Sequence, residues 1–131
     1  MLREGIAPLV ARIAISGIFI PAAISKAFAW DGNVSYMASR GLPMIPVLLA
    51  ASLVIEAAGT LCLLLGYRTR LAAAVMAAYL VPVTFACHDL LGTQFLKNAG
   101  IIGGLVMIAA YGPGRLSLDA RRTRMSISRS T

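Results

Sequence analysis

Four stretches of the chain are apolar for long enough to cross a bilayer, and short polar or turn-forming segments separate them. A spanning helix needs about 20 mainly apolar residues, with a range of roughly 17 to 25. The stretches at 6–28, 44–65, 71–87 and 95–111 meet or approach that length. Trp30-Asp31-Gly32-Asn33 opens the first connection and Gly41-Leu42-Pro43 closes it. Gly66 to Arg70 forms a tight basic turn, His88 to Gln94 a third connection, and Gly112-Pro113-Gly114 must end the last helix. Short connections make antiparallel neighbours. The expected fold is therefore an all-α membrane protein, four transmembrane helices in an up-down-up-down antiparallel bundle over residues 1–114, followed by a basic tail at 115–131 in which Ser117 caps a short surface turn and 121–131 is flexible and membrane-attracted.

Helical spacing gives each helix an inward face. Arg12, Ser16, Phe19, Ala23, Lys26 and Trp30 recur at intervals of four and three, and Ser52, Glu56, Gly59 and Thr60 form a matching stripe. Thr84 and His88 extend a third. Gly100/Gly104, Ala73/Ala77 and Ala74/Ala78 supply the small-x-x-x-small spacing that allows close helix contact.

Composition agrees with the pattern: of 131 residues 59% are hydrophobic and only 13% charged, against about a quarter charged in soluble domains. A soluble fold of this size would expose extensive apolar patches. The net charge of +7 does not read as nucleic-acid binding, because the arginines flank apolar runs or crowd the C-terminus. Arg3, Arg68, Arg70, Arg115, Arg121, Arg122, Arg124 and Arg129 fall on one side, against Lys26, Arg40 and Lys97 on the other. The positive-inside rule then puts both termini in the cytoplasm. The first apolar stretch ends in Ala27-Phe28-Ala29, which resembles a signal-peptide cleavage site, but Arg12 and Lys26 interrupt it and its length is that of a retained span.

The candidate chemistry lies where a membrane should exclude charge. Glu56 falls near mid-membrane and Arg12 within extended reach of it, so the two are expected to pair, as a structural tie or as a proton- or substrate-binding couple. A second group, Lys26, Trp30, His88, Asp89, Gln94, Lys97 and Asn98, gathers at the outer mouth. It could hold a polar headgroup such as a quinone ring, with His88 exchanging protons, or could be an ordinary interfacial belt of anchoring side chains. Cys62 and Cys87 sit at opposite ends of adjacent helices, too far apart for a disulfide. No spacing of ligand residues suggests a metal, and no phosphate or dinucleotide fingerprint occurs.

The ordered set of Arg12, Lys26, Glu56, the run Leu64-Leu65-Gly66-Tyr67-Arg68-Thr69-Arg70, His88 and the close Gly112-Pro113-Gly114-Arg115-Leu116-Ser117-Leu118-Asp119 resembles the DoxX family of four-helix membrane proteins over about residues 5–119. The resemblance implies a bacterial cytoplasmic-membrane protein associated with quinone-linked sulfur oxidation or redox protection. It assigns no catalytic residues. Three functions follow as expectations: an accessory membrane subunit of a quinone- or thiol-linked redox complex, not catalytic alone; a scaffold or assembly factor; and a small proton-coupled transporter using Glu56 and Arg12. The expected partners are the bilayer and a redox protein, with oligomers open and nucleic acid excluded.

Overall fold

The computed structural model describes residues 2–87, 90 and 92–131. A wide helical turn, Leu2–Ile6, runs directly into α1 (Ala7–Phe28), with Pro8 in the first turn, where a missing N–H costs nothing. There follow α2 (Trp30–Ser39), α3 (Ile45–Leu65), α4 (Thr69–Cys87), α5 (Thr93–Tyr111) and α6 (Leu118–Ser130). The described residues form no strand. Four of the helices, α1, α3, α4 and α5, are long and apolar enough to cross a membrane.

These four pack in a ring: α1 on α3, α3 on α4, α4 on α5, and α5 back against α1. Contacts between neighbours run in opposite directions along the sequence. Arg12 meets Leu63 while Lys26 meets Glu56, and Thr84 meets Asn98 while Arg70 lies beside Gly112. This is compatible with the up-down-up-down arrangement, and it brings the two ends of the chain together, where Arg115 N–H donates to the Glu4 carbonyl.

Most of the inward stripes are buried, although Ala23, Lys26 and Trp30 are only partly so and His88 lies outside the described residues. Arg12, Ser16 and Phe19 on α1, Ser52, Glu56, Gly59 and Thr60 on α3, and Thr84 on α4 are all buried, around an apolar centre of Ile15, Phe19, Leu63, Met76, Leu80 and Leu105. Outward positions such as Val10, Val54, Leu61 and Val106 are exposed and apolar, as lipid contact requires. Of the small-residue pairs, Ala73/Ala77 faces inward, whereas Ala74/Ala78 is exposed. Gly104 touches α1, since a Cβ there would stand 3.1 Å from Ile15 Cδ1, but Gly100 has open space beside it.

Two segments differ from expectation. The connection after α1 is itself the helix α2, because Asn33 donates to the Ser25 and Ala29 carbonyls and so carries helical bonding across the break at Ala29. The C-terminal segment is a helix rather than a flexible tail: Ser117 caps α6 by accepting from Ala120 N–H at 3.2 Å, and Asp119 stands in its first turn. All residues from Arg121 onward are exposed.

Candidate functional site

Arg12 and Glu56 are both buried, 1% and 3% exposed, but they do not pair. Arg12 Nη1 donates to the carbonyls of Leu63 (2.9 Å) and Leu64 (3.4 Å), and Nη2 donates to the carbonyl of Leu116. Glu56 instead receives Lys26, whose Nζ donates to both carboxylate oxygens at 2.7 and 2.8 Å. Helical geometry accounts for the exchange of partners. Side chains lean toward the N-terminus of their own helix. Arg12 therefore leans toward the chain ends, away from Glu56, which stands seven residues, about 10 Å, before Leu63 on α3 and so nearer the opposite end of the bundle. Lys26 and Glu56, on antiparallel helices, lean toward each other.

Tyr79 completes the group by donating its hydroxyl to Glu56 Oε1 at 2.9 Å. Glu56 thus accepts from a cation on α1 and a phenol on α4, and three helices converge on one carboxylate. Sequence reading overlooked Tyr79, although a signal existed: it lies ten residues into α4, about 15 Å deep, far from the interfacial belts where membrane tyrosines collect.

The triad forms one end of a cavity of about 660 Å³, within the range of small-molecule sites. Its walls are mainly apolar, with Phe19, Leu49, Ile55, Leu80 and Ile101 among them, and Pro82 of α4 contributes. Polar side chains reach the lining at Asn33 and Tyr36 on α2 and at Gln94, Lys97 and Asn98 on α5. Asn98 is buried and donates to Thr84 Oγ1 at 3.2 Å, which itself donates to the Leu80 carbonyl.

Of the outer-mouth group, Lys26, Gln94, Lys97 and Asn98 therefore share the cavity with Glu56. Trp30 begins α2 outside its lining, and His88 and Asp89 lie outside the described residues. No metal-ligating cluster occurs among the described residues.

Opposite the cavity, where the chain ends meet, a second polar constellation fixes α6. Asp119 Oδ1 accepts from Arg68 N–H at 2.8 Å, and Oδ2 accepts from the N–H and hydroxyl of Thr69 at 2.9 and 3.0 Å. Asp119 therefore caps α4 from fifty residues away, and its own N–H donates to the Gly66 carbonyl. Burial alone would raise the Asp119 carboxyl, but the bonds from Thr69 and Arg68 and the nearby Arg122 outweigh it and hold it below its ordinary value.

Comparison with known proteins finds a family and relatives. The DoxX family profile matches residues 7–89. The chain is similar to inner membrane protein YphA of Escherichia coli K12, 35% identical over 86% of this chain and 88% of that protein. It is also similar to inner membrane protein YqjF of the same strain, 32% identical over 88% of this chain and 92% of that one. A shorter likeness, 32% identical over 46% of this chain, reaches the Surfeit locus protein 4 homolog of Drosophila melanogaster but spans only 27% of it. No solved structure matches. With four membrane-length helices, a profile match covering most of the bundle and two near full-length relatives, the chain is an integral membrane protein that belongs to the DoxX family.

Proposed function

We propose that the protein is an accessory membrane subunit of a quinone- or thiol-linked redox complex, and that its cavity receives a quinone-class ring. The observation that carries this reading is the composition of the cavity: apolar walls close on Lys26, Glu56 and Tyr79 at one end. A quinone would supply two-electron, two-proton chemistry. Lys26 Nζ keeps a third N–H beyond its two bonds to Glu56, a donor suited to a quinone carbonyl oxygen, while Tyr79, whose single O–H is given to Glu56, holds that carboxylate in place beside it. The apolar walls suit its isoprenoid chain and keep bulk water from the ring.

The location that goes with this reading is a bacterial cytoplasmic membrane. It is supported by the two E. coli inner-membrane relatives and by the arginines that gather where the two chain ends meet, an arrangement that favours both termini in the cytoplasm. A second reading, a membrane scaffold, draws on the same triad, since Glu56 ties α1 to α4 and would serve assembly without any ligand.

Mass spectrometry of the protein purified in mild detergent separates the two. The redox reading expects co-purified quinone that falls at least tenfold in Tyr79→Phe with Lys26→Met, while the helical content persists. Folded protein carrying no quinone and retaining no oxidoreductase partner would overturn it and leave the scaffold.

A further inference from the structure

A groove of about 480 Å³ lies at the end of the bundle that carries both termini, bounded by the start of α4, the Pro113-Gly114 turn and the first turns of α6. Arg68 and Arg70 line it, with Leu71 and Pro113 beside them and Ala120 and Thr123 of α6 across from them. Its one acid, Asp119, is already engaged by the Arg68 and Thr69 N–H groups and the Thr69 hydroxyl. The groove is thus basic, and α6 adds Arg121, Arg122 and Arg124 close by.

Two features place it at a bilayer surface. Leu71 and Val75, one turn apart on α4, are both exposed, 58% and 45%, and continue the groove as an apolar track down the bundle. The helix α6 has 13 residues, a length at which an isolated helix is marginal in water, yet every residue after Ala120 is exposed, including Met125 and Ile127. Such a helix, basic with interspersed apolar residues, gains a second support from anionic headgroups.

From this juxtaposition we infer that the groove binds the headgroup phosphate of an anionic phospholipid, with Arg68 and Arg70 on the phosphate oxygens and an acyl chain along Leu71 and Val75. Guanidinium groups suit the role, being permanently charged and able to present two parallel N–H donors to a phosphate. The bound lipid bridges α4 and α6, and so couples the C-terminal helix to the charge of the leaflet. The site is independent of the cavity at Glu56.

The test is native mass spectrometry and thermal melting of the full chain in mild detergent, titrated with phosphatidylglycerol, phosphatidylcholine or inorganic phosphate. The expected result is one tightly held phosphatidylglycerol, at least tenfold preferred over phosphatidylcholine, with a rise in Tm. Arg68→Gln with Arg70→Gln should lose that preference, and Arg68→Lys with Arg70→Lys should keep most of it. If the double glutamine variant does not fold, Arg70→Gln alone, within regular α4, takes its place. Equal retention of both lipids, undiminished phosphatidylglycerol binding in the folded glutamine variant, or displacement by inorganic phosphate regardless of acyl chain would each overturn the assignment.

Discussion

Arg12 and Leu116 stand 104 positions apart in the chain, and the guanidinium of the first donates to the carbonyl of the second. The same side chain holds the last turn of α3 through Leu63 and Leu64. Helix ends leave carbonyls short of internal partners, and Arg12 serves Leu64, shares Leu63 with the Gly66 N–H, and takes one more carbonyl from the chain that enters α6. Arg12→Lys keeps the charge but loses the fork. It should cost about 1–3 kcal/mol for each carbonyl left unpaired, seen as a lower Tm in detergent.

The Lys26–Glu56 pair yields a prediction of opposite character. Removing one partner strands a buried charge, so Glu56→Leu or Lys26→Met alone should lower stability by about 3–5 kcal/mol. The double variant should recover much of that loss, because two apolar side chains suit this depth better than one orphaned ion. A double-mutant cycle in a reversible unfolding assay measures the coupling, and additive losses would show that the two residues stabilise the bundle independently.

Asp119 gives the fold a pH dependence. Its carboxyl sits below the ordinary value in the folded state, so its contribution is present above the unfolded value of about 3.9 and is lost as pH falls through the folded one. Asp119→Asn should cost about 0.5–2 kcal/mol near pH 7, the range of a helix cap, with the difference from wild type shrinking below about pH 4. Paired melts at pH 7 and pH 3 measure it; a constant difference would mean that the charge is not what caps α4.

Gly66 tests the packing of the same region. It adopts φ +69° at the end of α3, and a Cβ there would stand 2.7 Å from Arg12 Nη1 and 2.8 Å from Ser117 Cα. Gly66→Ala should therefore lower the Tm more than Gly100→Ala, since nothing lies within 4 Å of the added carbon at Gly100. Gly41→Ala, at φ +71° with nothing within 4 Å, is the control that separates the collision from the strain of a side chain at positive φ.

Hydrophobic periodicity made the inward faces of α1 and α3 legible, because burial in a bundle follows the helical repeat whatever the partner. It could not choose partners among the charges on those faces. Depth pointed to Arg12 as the partner of Glu56 and put Lys26 with the outer mouth; the pairing found rests on the lean of side chains along antiparallel helices, a relation visible only once the helices are set beside each other. Tyr79 was obscured for a similar reason, as it stands one position away from the stripe that leads to Thr84. The ordered C-terminal helix depends on Asp119 reaching a backbone fifty residues away, a tie that no local window contains.

The Arg12 fork also sets the order in which the molecule can be completed. During synthesis the first span enters the bilayer long before Leu116 exists, so its guanidinium begins without one of its final acceptors and gains it only once residue 116 has emerged. A product truncated before that point retains an unsettled cation in its first helix, at an insertion cost of up to about 2.5–3.5 kcal/mol. A single side chain thus ties the settling of the first span to the arrival of residue 116.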